Sequence, residues 1–125
     1  MITSYSLYFC DVTIYKDYLK VVIKEGVTVL PEHNSVLLEM VEKHFKDKPF
    51  VYLTHRIHSY SVDPAIYFLT SKISNLAAFI VVANDPQQEQ QVQVEKKFFN
   101  KEFRLFKNMD EALVWKDQFL KNYQD

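Results

Sequence analysis

The densest concentration of chemically capable side chains lies between residues 54 and 63, where His55, Arg56, His58, Ser59, Tyr60, Ser61 and Asp63 follow closely on one another. Imidazoles change charge near neutrality, a guanidinium donates to oxyanions, and hydroxyls can carry phosphate. Asp63 followed by Pro64 also marks a helix start, because the carboxylate accepts first-turn amides and proline has no amide hydrogen to leave unpaired there. A buried strand, Phe50 to Leu53, precedes the segment, so these residues are expected at the carboxyl end of a sheet strand, the edge at which open α/β sheets hold ligands. The functional reading is a recognition loop for a protein partner or a small anion, in which Arg56 and the helix amides attract negative charge and Tyr60 offers a flat apolar contact. In the alternative reading Asp63 caps, His55 and Tyr60 pack, and Arg56 is solvated.

Other chemistries find less support. His55, His58 and Asp63 do not form a ligand set, because a spacing of three on an irregular segment does not converge two imidazoles and no matching cluster occurs elsewhere; neither metal nor cofactor is expected. Cys10 is the lone cysteine. It reads as a small buried hydrophobe within or at the end of the first strand, and it can form no internal disulfide. Asp110 and Glu111 suit a helix start, where they offset the positive end of the dipole. His33 and His44 lie on or beside the first helix as surface or boundary residues. Gly26 is the only glycine, which excludes glycine-rich phosphate loops and the glycine-bearing nucleophile elbow. Nothing assembles a catalytic constellation, and the chain is expected not to be an enzyme.

Charge and length narrow the classes further. Fifteen Lys and Arg against sixteen Asp and Glu leave a net charge of −1, so no global field draws the chain to nucleic acid or an anionic membrane. The basic stretch Lys96, Lys97, Lys101, Arg104 and Lys107 is interrupted by Glu95 and Glu102 and reads as solvated charge. No signal-peptide pattern and no run approaching about 18 apolar residues is present, so a cytoplasmic location without a transmembrane segment is expected. A chain of 125 residues suits a single domain, residues 1–125, with one core.

The elements that must position the polar segment follow from periodicity. Tyr5, Leu7 and Phe9 alternate with serines, and Leu19, Val21 and Ile23 alternate with lysines, giving two strands joined through Tyr15, Lys16 and Asp17 as an antiparallel hairpin that ends at Gly26. From Pro31, Val36, Leu37, Met40, Val41 and Phe45 follow a helical stripe, stopped by Lys46–Pro49. Phe50–Leu53 is a strand covered on both faces. Ile66, Phe68 and Leu69 are the expected buried side of a short second helix. Leu76–Val82, the most hydrophobic run, is the expected central strand. Asp85, Pro86 and Gln88 start a third helix running to about Phe99, whose glutamines form an exposed face. Phe103 and Leu105 mark an edge strand, and Asn108 with Glu111 caps a last helix containing Ala112, Leu113, Trp115, Phe119 and Leu120. The order β-β-α-β-α-β-α-β-α makes an α/β fold with a mixed, mostly parallel five-stranded sheet and an N-terminal antiparallel hairpin, whose free edge permits a homodimer.

This order, over about residues 5 to 121, resembles the STAS domain family of bacterial anti-sigma-factor antagonists and transporter tails. More closely it resembles the small stand-alone STAS-like proteins related to them. Three segments carry the resemblance: Val51–Pro64, Ala77–Val82, and Phe106–Trp115 with its acidic first turn followed by Ala112 and Leu113. The resemblance implies a regulatory, protein-binding domain. In phosphorylatable members a serine or threonine at the start of the helix after the strand matching Phe50–Leu53 is modified by a partner kinase, in an Asp-Ser-Ser-Gly-like setting. Here that region has Ser59, Tyr60, Ser61 and Asp63 and no glycine; Ser61 is the nearest phosphorylation candidate, and a phosphate on it would compete with Asp63 for the same amides.

Ten Phe, eight Tyr and one Trp mostly fill a core. The second functional reading takes part of them as the lining of a pocket for a small apolar ligand or lipid, in keeping with the topological similarity of STAS-like proteins to the longer CRAL-TRIO lipid-transfer fold.

Overall fold

The computed structural model describes residues 2–58 and 60–123. The chain opens with an antiparallel meander of β1 (Thr3–Ser6), β2 (Cys10–Ile14) and β3 (Tyr18–Ile23). Gly26, at φ 76°, supplies the left-handed turn that ends it. The rest alternates: β4 (Thr28–Val29), α1 (Pro31–Phe45), β5 (Phe50–His55), β6 (Ser61–Val62), α2 (Ala65–Ser71), β7 (Leu76–Val82), α3 (Pro86–Glu95), a 3₁₀ turn at Lys96–Phe98, β8 (Glu102–Phe106) and α4 (Met109–Asn122). The main sheet has the order β1-β2-β3-β5-β7-β8, with β3, β5, β7 and β8 mutually parallel.

The mixed, mostly parallel α/β sheet is as expected, but it has six strands instead of five. The stretch Tyr5 to Phe9 is not one strand. A turn at residues 7–9, closed by Leu7 N–H donating to the Cys10 carbonyl at 2.8 Å, separates β1 from β2 and turns the hairpin into a meander. Tyr8 at its tip is 77% exposed while Phe9 is buried.

Burial on both faces explains the unbroken apolar runs of β5 and β7. One face carries Phe50, Tyr52, Phe79 and Val81, which pack with Leu37, Met40, Val41 and Phe45 of α1, Ile66 and Tyr67 of α2 and Val92 of α3. The other carries Val51, Leu53, Ala78 and Ile80 beneath Ala112, Trp115 and Phe119 of α4. Three helices therefore cover one face and one covers the other. β7 lies between β5 and β8, interior to the sheet but one strand from its edge, and so is not the central strand.

Helix starts follow their caps. Asp85 accepts the amides of Gln87 and Gln88, and Asn108 accepts that of Glu111 at 2.9 Å. α3 is shorter than expected: it gives way to the 3₁₀ turn after Glu95. In α2 the buried residues are Ile66, Tyr67, Thr70 and Ser71, whereas Phe68 and Leu69 are exposed. Buried Thr70 is satisfied by donating to Asn34 Oδ1 and Ser71 by donating to the Phe68 carbonyl, so polar side chains occupy the inward side of this short helix.

Two histidines also differ in setting. His33 is buried; its Nδ1 accepts the Leu30 amide at 2.9 Å, and its ring stacks on Phe9 at 4.4 Å. His44 lies at the boundary and contacts the Tyr5 hydroxyl at 2.7 Å. Among the described residues no helix is long and apolar enough to cross a membrane.

Candidate functional site

The carboxyl end of β5 turns outward at Arg56, whose amide donates to the Val82 carbonyl at the end of β7. Further on, the chain is strapped down by a two-residue parallel pairing of β6 with β4, in which the Ser61 and Asp63 amides donate to the carbonyls of Val27 and Val29. β4 and β6 are too short to carry a periodicity, and sequence reading missed them. The Arg56–Val82 bond and the β4–β6 pairing thus hold the two ends of the polar segment.

Arg56 is not solvated. Its side chain is 2% exposed and pairs with Glu95 of α3 at 2.7 Å, a carboxylate itself 6% exposed. Glu95 Oε1 also accepts the Tyr67 hydroxyl at 2.6 Å, and Oε2 accepts the Gln91 amide at 2.9 Å. On the other side, Arg56 Nε donates to the Tyr60 hydroxyl at 2.8 Å, and the guanidinium carbon lies 4.7 Å from the Tyr60 ring centre. Burial opposes the charge on Arg56, but Tyr60, Tyr67 and Glu95 outweigh it and hold the pKa above the ordinary value, so the side chain stays protonated. Burial, then the neighbouring Glu95 carboxylate, pushes the Tyr67 phenol well up. It remains a neutral donor to Glu95.

The other members of the segment take different places. His55 is half-buried at the end of β5, and burial, then Lys20, lowers its pKa. His58 and Ser61 are exposed, Tyr60 and Asp63 half-buried; Ser59 lies outside the described residues. Asp63 accepts the Ala65 amide at 3.0 Å, as its position before Pro64 predicts. The Ser61 amide is bound in the β4–β6 strap and its side chain faces solvent. Ile57, not singled out from sequence, is 58% exposed beside His58.

A cleft of about 300 Å³ opens along the carboxyl ends of β5 and β7, walled by His55, Arg56, Ile57, Asp85, Gln88 and Lys107 among others. A smaller cavity of about 50 Å³ lies between Arg56, His58, Tyr60, Gln88 and Gln91. Gln88, Gln91, Glu95 and Lys107 were not recognised as part of this corner. For Glu95 there was one available signal: it stands three residues after Val92, so both fall on the face of α3 that meets the core.

The remaining candidates resolve simply. Cys10 is fully buried, and burial, then Asp11, pushes its thiol up to about 12. Of the basic stretch, Lys101 binds the carbonyls of Ile73 and Leu76, Arg104 pairs with Glu102, and Lys107 stands exposed at the cleft. The aromatic residues stack in the core, with Phe79 against Tyr52 and Phe103 at 4.7 and 5.2 Å. Beneath the β4–β6 strap they leave about 30 Å³, bordered by Val29, Tyr52, Thr54, Tyr60, Val62 and Phe79, which is the room of about two water molecules.

The sequence matches no family model and no curated protein. The backbone is similar to the crystal structure of an uncharacterised protein of the DUF3478 family from Shewanella loihica PV-4, described as having a SpoIIAA-like fold. The TM-score is 0.62 at 16% identity, over 91% of this chain and 98% of that one. The fold is SpoIIAA-like. The SpoIIAA-like fold is STAS-like, in agreement with the resemblance carried by Val51–Pro64, Ala77–Val82 and Phe106–Trp115. Within this SpoIIAA-like frame the polar corner sits between the end of β5 and the start of α2.

Proposed function

We propose that this STAS-like module is a non-enzymatic binding domain that contacts a protein partner through the corner formed by residues 54–63, the start of α2 and the adjoining cleft. The observation that carries the reading is the division of this corner into two layers. Below, Arg56, Glu95, Tyr67 and Tyr60 are tied together by short hydrogen bonds and an ion pair. Above, Ile57 and His58 stand in solvent beside a polar cleft. An exposed aliphatic side chain beside polar groups that are locked by hydrogen bonds from beneath suits an interface anchor. The contact residues are then His55, Ile57, His58, Tyr60, Ser61 and Gln88, with Arg56 and Asp63 acting as supports.

The test is affinity capture from a lysate of the source organism, using wild type, Ile57→Asp, and Val114→Asp as a control. Val114 is 59% exposed on α4, which covers the opposite face of the sheet. The expected result is a partner retained by wild type and by Val114→Asp but lost from Ile57→Asp. A partner held equally by all three proteins would refute the corner as the contact surface.

A further inference from the structure

The buried arginine of this corner has unused donors. A guanidinium carries five N–H groups. In Arg56, Nε donates to Tyr60, and Nη2 serves Glu95 at 2.7 Å and Tyr67 at 3.4 Å. Nη1, with two N–H groups, is buried and has no partner among the described residues. Leaving a buried donor unpaired costs about 1–3 kcal/mol, and more for a charged group, so the site is built to receive an acceptor. Arg56 and Gln88 are walls of both the 50 Å³ cavity and the 300 Å³ cleft.

The surroundings specify the acceptor. Among the described residues the Gln88 side-chain amide is held by one 3.4 Å contact, to the His58 carbonyl, weak enough for it to turn towards a ligand. Lys107 adds a cation at the rim. The carboxylates nearby are already engaged: Asp85 by the amides of Gln87 and Gln88, and Glu95 by Arg56, Tyr67 and Gln91. We infer that the cleft at the carboxyl ends of β5 and β7 binds a small oxyanion, a carboxylate or phosphate group, whose oxygen accepts from Arg56 Nη1 and is completed by Gln88 and Lys107. The site lies in the corner of the proposed function, but it is read by a different experiment, so failure of one is distinguishable from failure of the other.

Arg56 and Arg104 are the two arginines of the chain, and Arg104 is exposed, in a surface pair with Glu102. Nitrogen-15 NMR of the arginine side chains, assigned with Arg104→Lys, therefore contains its own control. Inorganic phosphate and acetate are titrated separately against sodium chloride of equal ionic strength. The Arg56 signals should move saturably in the millimolar range while those of Arg104 follow ionic strength alone. Lys107→Ala, which leaves the buried network intact, should weaken the response about three- to five-fold, the size of a rim charge. Response to both probes identifies the shared oxyanion chemistry, and response to phosphate alone identifies a phosphate ligand. Arg56 signals that stay fixed, or that track Arg104 and the chloride control, would leave water as the occupant and overturn the inference. Loss of the protein partner with an intact phosphate response would fault only the contact surface.

Discussion

Removing one side of the Arg56–Glu95 pair tests the rigid base directly. In Glu95→Ala the guanidinium keeps its bond to Tyr60 but loses its counter-charge, the Tyr67 hydroxyl loses its acceptor, and Gln91 loses its partner. The pair is almost fully enclosed, at 2% and 6% exposure, so solvent cannot take over these roles without opening the corner. Stranding one member of a buried ion pair costs about 3–5 kcal/mol, a large share of the roughly 5–15 kcal/mol that stabilises an ordinary domain. With a urea slope of about 2 kcal/mol per molar, the midpoint should fall by about 2 M. Trp115, the single tryptophan, is half-buried on α4 and reports the transition by fluorescence, with circular dichroism as a second probe. Replacing the whole group by apolar residues, Arg56→Met with Glu95→Leu and Tyr67→Phe, should recover at least half of the loss, because no charge is then stranded. A Glu95→Ala midpoint within about 0.3 M of wild type would mean that the pair is solvated in solution, and the reasoning about a rigid base would fail.

Two further outcomes follow from the titrating groups. His44, through burial and then Lys43, and His55, through burial and then Lys20, have pKa values below the ordinary 6.5. The unfolded chain then binds more protons than the folded one just below that value, so stability is fully present above it and declines as the pH falls through the lowered values. Between about pH 7.5 and 5.5 the urea midpoint should drop in wild type and drop less in His44→Gln, His55→Gln; an equal drop in both proteins would contradict the assignment. Cys10, buried with its thiol raised to about 12, should react with a thiol reagent at pH 8 only as fast as the chain unfolds, and rapidly in urea. Fast labelling of the folded protein would show that the strand is open there.

The sequence made some of this legible and hid the rest for identifiable reasons. Caps are local, and Asp85 and Asn108 could be placed from their neighbours alone. The buried strands β5 and β7 announced themselves by unbroken apolar runs. The break between β1 and β2 lacked glycine, proline or asparagine, the usual turn residues. A signal was nevertheless present: the inward residues shift from Leu7 and Phe9 to Cys10, Val12 and Ile14, and a change of parity within a strand cannot be accommodated by a pleat of period two. Phe68 and Leu69 misled because hydrophobicity was taken as the guide to the buried side of α2. The position of Ile66 instead places Thr70 inward, where Asn34 satisfies it. The partnership of Arg56 with Glu95 spans 39 residues and depends on where α3 packs, which no local pattern encodes.

The same partnership restrains the polar segment from beneath. Loop residues in solvent ordinarily pay for order with conformational entropy. Here Arg56 from the end of β5, Tyr60 from the crossing segment, Tyr67 from α2 and Glu95 from α3 share one hydrogen-bonded group, and β6 is clamped to β4 on the far side. Any displacement of Tyr60 breaks its bond to Arg56 Nε and removes its ring from above the guanidinium, so movement of the surface is resisted from beneath. Replacing the network with apolar side chains would retain the fold but release that restraint, because apolar packing is non-directional whereas the guanidinium fixes its donors in a plane. Stability and positional order at the corner are therefore separable, and the ion pair serves the second more than the first.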